Sequence, residues 1–184
     1  MTAPVSLPTS DDRHTIALHW LTAVLVIGLR MLGQTIDWFP KGSPRALARS
    51  THLALGVGLA FVPMRRIWWR LAEGVHMPRA GSKTLDAIAA STHKIFYLLV
   101  VGTVVPGMAN AWVRGDTLFL LLKIPAFDPG NTALRRSVEQ WHSWAADILL
   151  VVAGLHAAAA LLHHLVFKDD IPRRMPPRRW RVTA

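Results

Sequence analysis

Apolar residues in this chain gather into four long runs, and the charged residues fall largely in short blocks between them. The runs cover 15–37, 51–72, 88–112 and 140–167. Each reaches the roughly 20 residues needed to cross a hydrocarbon core about 30 Å thick. The connections are short, so the pattern predicts an all-α fold, a four-helix transmembrane bundle in one membrane domain over 1–184. Pro63 and the pair Pro106–Gly107 fall inside spans two and three. Neighbouring helices can satisfy the backbone groups they free, so bends are expected there and not breaks. The first run follows a polar leader and has no small-residue cleavage site, which reads as a retained helix and not a signal peptide. No internal repeat or soluble domain is evident.

Composition agrees with the pattern: 52% of the 184 residues are hydrophobic and 17% are charged. A net charge of +10 could by itself suggest nucleic acid, but the basic residues stand at span ends and in the tail "KDDIPRRMPPRRWRVTA". Membrane topology accounts for them, and no nucleic-acid partner is expected. The leader, the connection after span two and the tail are richer in Lys and Arg than the other two connections, so both termini are expected on the cytoplasmic side. Trp68 and Trp69 beside Arg65, Arg66 and Arg70 read as an interfacial anchor on that side, as do Trp38 and Phe39 on the other. The chain has no cysteine. Disulfides, thiolate metal sites, iron–sulfur clusters and C-x-x-C-H haem attachment are thereby excluded.

The remaining chemistry is histidine. An imidazole inside a bilayer faces the bundle interior with a partner. By depth, His52 and His142 share the outer layer, while His19, His93 and His156 share the inner one. On span four, His142 and His156 are fourteen residues apart. That is about 40° short of four turns, so both project from nearly one face about 21 Å apart along the axis. One small ion cannot touch both. Two flat cofactors stacked along the bundle can, each taking one axial nitrogen from span four and the second from a facing helix. Haem b, bound without covalent links and saturated by two imidazoles, fits, and saturated iron points to electron transfer. Gly56, Gly58 and Gly154 leave room for a porphyrin or serve close helix packing.

The residues also carry a resemblance. "ALHWL" on span one, a histidine at the outer start of span two, "HKIFYLL" on span three and "GLHAAAALLHHLVFKD" with "RRMPP" on span four resemble the bacterial cytochrome b561 family. These are small four-helix di-haem membrane proteins related to the cytochrome b subunits of nickel hydrogenases and formate dehydrogenases. The last segment is similar to the superoxide oxidase branch, the superoxide:ubiquinone oxidoreductases. The resemblance implies ligation by spans one, two and four: His19 with His156 for the inner haem, and His52 with His142 for the outer. It leaves His93 without an iron.

It further implies a quinone site near the inner haem, for which His93 and His163 are the candidates, with His163 the proton donor. His163 and His164 read alternatively as interfacial residues. Arg45 and Arg49 precede His52 by seven and three residues and share its face if the helix extends that far. Arg49 is then a candidate partner for a haem propionate, and a basic rim there also concentrates a small anion such as superoxide. Arg30, deep in span one, needs a counter-charge: a haem propionate, or Asp147 on span four. The implied activity is electron transfer from periplasmic superoxide through two bis-histidine haems to ubiquinone, in the bacterial inner membrane. The alternative is a cytochrome subunit fed by a partner dehydrogenase or cytochrome. A proton or metal-ion transporter is disfavoured, since no acidic residue pairs with the inner histidines.

Overall fold

The computed structural model describes residues 12–72 and 83–168. The leader, the connection 73–82 with His76, and the tail from 169 lie outside the described residues, so the features behind the expected orientation lie largely outside them too. Four long helices follow in order: α1 (Arg13–Thr35), α2 (Ser43–Ala72), α3 (Lys83–Arg114) and α4 (Thr132–Leu162). All four are long and apolar enough to cross a membrane. In the following, the two layers keep the names outer and inner given by the expected orientation.

Local chemistry sets the ends. Asp12 caps α1 by accepting from the Thr15 amide (2.9 Å) and hydroxyl (2.8 Å). It also accepts from the Trp69 indole at 2.9 Å, which ties the start of α1 to the inner end of α2. At the other end α1 tightens into a 3₁₀ turn over Ile36–Trp38. Gly42, at φ +100°, then turns the chain into α2. Pro44 in the first turn forfeits only an amide that has no helical partner there. Asn131 caps α4 by accepting from the Leu134 amide (2.9 Å). That helix ends in a π turn, His163–Phe167, closed by Lys168 in the left-handed conformation. α2 and α3 run unbroken through Pro63 and Pro106, as expected.

Two differences from the sequence pattern matter for the site. α2 begins eight residues and α4 eight residues before the apolar runs do, so Arg45 and Arg49 are helical and lie on the His52 helix. In addition, the connection between α3 and α4 contains a small antiparallel hairpin, β1 (Thr117–Leu118) and β2 (Leu122–Lys123), with Thr117 opposite Lys123. It is docked on α2 by Ser50. The Ser50 hydroxyl oxygen accepts from the Phe119 amide (2.8 Å) and points its hydrogen at the carbonyls of Ala46 (2.8 Å) and Thr117 (3.1 Å). Gly115, at φ +68°, makes the exit from α3, where a Cβ would come within 2.7 Å of the Ala126 Cβ.

α1 packs mainly on α2 and α3 mainly on α4, with α2 against α3 joining the halves. The buried core is Val26, Leu29, Leu59, Val100 and Leu149, flanked by Leu25, Phe96, Leu99 and Val104. Leu149 lies seven residues from both His142 and His156 on α4. The apolar core therefore falls between the two histidine layers. The many large apolar side chains left exposed, such as Val24, Phe61, Leu98 and Leu155, suit a bundle solvated by lipid, which supplies no hydrophobic drive of its own between helices.

Candidate functional site: two histidine clasps

The helices bring the histidines together in two pairs. His52 of α2 faces His142 of α4 with ring centroids 6.0 Å apart and planes at 87°. His19 of α1 faces His156 of α4 at 6.3 Å and 68°. Each pair takes one imidazole from α4, as the fourteen-residue spacing requires.

These separations can be tested against a metal held between the rings. Imidazole–metal bonds of about 2.0–2.1 Å and a centroid-to-nitrogen distance of about 1.1 Å on each side put two centroids about 6.3 Å apart across one ion. Both pairs match. Among the described residues no three His, Cys, Asp or Glu side chains converge to hold a metal. A bare ion would thus find two protein ligands only, whereas a porphyrin brings the four equatorial nitrogens itself. The surroundings leave space for one. A Cβ built on Gly28, Gly56, Gly58, Gly102 or Gly154 would meet nothing within 4 Å, so Gly56, Gly58 and Gly154 do not seal helix against helix. The residues present fit b-type haem.

The outer pair is set by backbone features of the facing helices. On α3, Gly107 has no side chain, so His142 comes close enough to donate its Nδ1–H to the Thr103 carbonyl (2.9 Å). That bond fixes the tautomer and leaves Nε2 available to a ligand or metal. A Cβ on Gly107 would lie 2.9 Å from the His142 Cε1, and one on Gly33 of α1 would lie 3.1 Å from the His52 Cε1. Both glycines serve as seats for an imidazole. Neither was singled out by the sequence pattern, because each contacts a ring on a different helix.

Arg66 of α2 is the principal residue that sequence reasoning missed. Grouped with Arg65 and Arg70 as an anchor, it is instead buried, 7% exposed. It lies within electrostatic reach of His19, His93 and His156. The signal was available: Arg66 follows His52 by fourteen residues, the spacing that separates His142 from His156 on α4. The anchor expectation suits Arg65, whose guanidinium lies 4.5 Å from the Trp68 ring centroid and 5.3 Å from that of Trp69. His93 lies near Arg66, Arg70 and His156. The His163 ring lies 5.2 Å from Phe167 in the π turn that ends α4.

Arg30 meets Asp147 of α4 in a salt bridge between the two layers. A counter-charge from within the chain thus satisfies the need that a propionate was the other candidate to fill. Arg49 lies 3.8 Å from Asp37, and Arg45 lies 3.3 Å from the same carboxylate. Arg45 also donates to the carbonyls of Asp37 and Phe39, each at 2.8 Å, stitching the turn between α1 and α2. Arg49 borders two neighbouring recesses of about 260 and 340 Å³, lined respectively by Lys41 and Arg45 and by Asp116 and Leu120.

The chain is 29% identical over 167 residues to the probable superoxide oxidase CybB of Yersinia pestis, covering 89% of this chain and 94% of that protein. It is 29% identical over 168 residues to cytochrome b561 homolog 1 of Escherichia coli K12, covering 89% and 95%. To cytochrome b562 of Cereibacter sphaeroides it is 28% identical over 168 residues, covering 89% and 92%. No solved structure matches. The family profile of prokaryotic cytochrome b561 matches residues 12–178. With four membrane-spanning helices and a match over nearly its whole length, the chain belongs to the prokaryotic cytochrome b561 family, multi-pass electron-transfer proteins of the bacterial inner membrane that work with b-type haem.

Proposed function

We propose that the protein is a di-haem superoxide oxidase: it takes electrons from superoxide at the periplasmic side and delivers them to ubiquinone near the cytoplasmic side. The observation that carries this reading is the pair of histidine clasps, 6.0 and 6.3 Å across, one at each depth and both using α4. Similarity to a probable superoxide oxidase supports the choice of donor. When bound, haem would supply a one-electron iron couple, and imidazoles from the two histidine pairs would favour electron transfer over oxygen binding.

The chain's own residues do the rest. His52 with His142, and His19 with His156, hold the two groups, and the Thr103 carbonyl orients His142. Leu149 and the apolar core around it keep water from the space between the layers. At the outer rim, Arg45, Arg49 and Lys41 raise the local concentration of a small anion. At the inner end, His93 and His163 are assigned to the quinone, with Arg66 adding a buried cation beside His93. An imidazole there donates a hydrogen bond to a quinone carbonyl and passes on a proton as the oxygen becomes basic. The net reaction balances: two superoxide anions, one quinone and two protons give two dioxygen molecules and one quinol.

Stopped-flow mixing of the purified protein with superoxide, followed by ubiquinone, tests the reading. Fast reduction of the α and Soret bands by superoxide with no partner present, then quinone-dependent reoxidation, is the expected result. The apolar hairpin tip, where Leu121 is 90% exposed, favours a second reading in which a redox protein docks there and delivers the electrons. Inertness toward superoxide would establish that reading in place of the first. The ligand and quinone assignments are separable: His52→Ala and His142→Ala each remove the same haem, whereas His93→Ala keeps both and slows quinone reduction about tenfold or more.

A further inference from the structure

The outer layer contains buried cationic groups that the helical packing does not satisfy. Arg114, at the end of α3, has a side chain only 11% exposed. Its Nε and Nη2 are buried with no hydrogen-bond partner among the described residues, and its carboxylate neighbour, Asp116, stands 3.6 Å off. Arg49 of α2 repeats the condition: its Nε is buried and unpartnered, and Asp37 lies 3.8 Å from its Nη2. The two guanidinium groups are close enough to repel each other. A largely buried guanidinium, Arg114, beside a partly buried one, Arg49, whose side chain is 31% exposed, leaves unused donors that an anion can complete.

The helical registers place both arginines relative to the outer histidine pair. Gly107, Asn110 and Arg114 stand at i, i+3 and i+7, one face of α3. Gly107 is the residue against the His142 ring, and Asn110 also carries a buried amide oxygen without a partner. Arg114 is therefore on the His142 side of α3, about 10 Å outward from the imidazole. On α2, Arg49 precedes His52 by three residues, one turn outward on the ligand's own face. Both arginines thus flank the outer clasp on its membrane-surface side, from two different helices.

We propose that Arg114, together with Arg49, is a carboxylate clamp for the propionates of the group held by His52 and His142. This assignment rests on the di-haem reading above and adds a residue, Arg114, that its position at the end of an apolar run would class as an interfacial charge. Guanidinium is suited to the task because its planar fork meets a carboxylate through two parallel N–H bonds. Such a clamp would orient the group, which two imidazoles alone would leave free to turn. By pairing with the propionates it would offset their negative charge, which otherwise disfavours the reduced form of the outer site.

The test is a redox titration of the full-length protein in nanodiscs, combined with reconstitution using haem dimethyl ester, whose propionates carry no charge. With native haem, Arg114→Gln should make reduction of the outer site about tenfold less favourable, 59 mV lower for a one-electron couple. Arg114→Lys should recover part of that shift. With the ester, wild type and Arg114→Gln should titrate alike, since the pair is broken in both. Arg49→Gln provides a second variant should Arg114→Gln assemble poorly. Two bound haems with an unshifted outer midpoint in both Gln variants would overturn the clamp while leaving the di-haem reading intact. So would a shift of equal size with haem and ester, the signature of a lipid phosphate or a diffuse field. Fewer than two haems in the unmodified protein would overturn the di-haem reading, and the clamp with it.

Discussion

The residue with the most leverage on the outer clasp is a glycine. Gly107 lies where a methyl group would come 2.9 Å from one ring atom of His142 and 3.0 Å from another, closer than carbon atoms pack, so the imidazole must turn. Turning it sacrifices the Nδ1–H bond to Thr103 and with it the orientation of Nε2. Gly107→Ala is therefore expected to lower haem content from about two per chain toward one, read by pyridine haemochrome, while the inner site persists. Gly130→Ala, where nothing lies within 4 Å, is the matched control. The four clasp histidines were legible because an imidazole stands out in an apolar run. Gly33 and Gly107 were not, since a seat for a ring is defined by a helix distant in sequence.

At the level of elements, apolar length located every span but not its ends. Hydropathy reports how far lipid extends, whereas a helix continues until its caps: α2 reaches back to Ser43 and α4 to Thr132 through polar and basic residues. The hairpin was invisible for a different reason. Its strands are two residues each, too short for alternation to register, and its turn puts Phe119 and Leu120 at φ 48° and 63° where Asn or Gly would be the signal. The start of α1 yields a pH prediction. Partial burial pushes the Asp12 carboxyl up, but the Thr15 amide, the Thr15 hydroxyl and the Trp69 indole hold it, on balance, below its ordinary value of 3.8. A depressed folded-state value means that the contact stabilises fully above pH 3.8 and is lost as pH falls through the lower, folded value. Trp69 emission should change in that acid window, and the change should vanish in Asp12→Asn. Asp12→Ala, which removes the cap as well, should cost about 1 kcal/mol.

For the whole molecule, the arrangement follows from one periodicity. Fourteen residues separate His142 from His156 and His52 from Arg66, so α4 contributes an imidazole to each layer while α2 contributes an imidazole to one and a buried cation to the other. The sequence made the first relation visible because both members are histidine, and concealed the second because Arg66 stands among interfacial arginines. Assembly is further pinned by Arg30 and Asp147, whose side chains are 19% and 50% exposed. Removing one partner should cost about 2 kcal/mol, less than a fully buried pair because Asp147 is half exposed. The double variant Arg30→Gln/Asp147→Asn should be less impaired than either single one, as measured by unfolding in mixed micelles.

That salt bridge has a consequence for biogenesis. Its two members are 117 positions apart, so α1 emerges from the ribosome with a lone guanidinium about 6–23 s before the carboxylate that neutralises it, at ordinary rates of synthesis. During that interval the guanidinium lacks its ion-pair partner, at a cost of about 2.5–3.5 kcal/mol at mid-membrane depth. The arrival of α4 removes that cost, so the last helix to be made is the one that fixes the first.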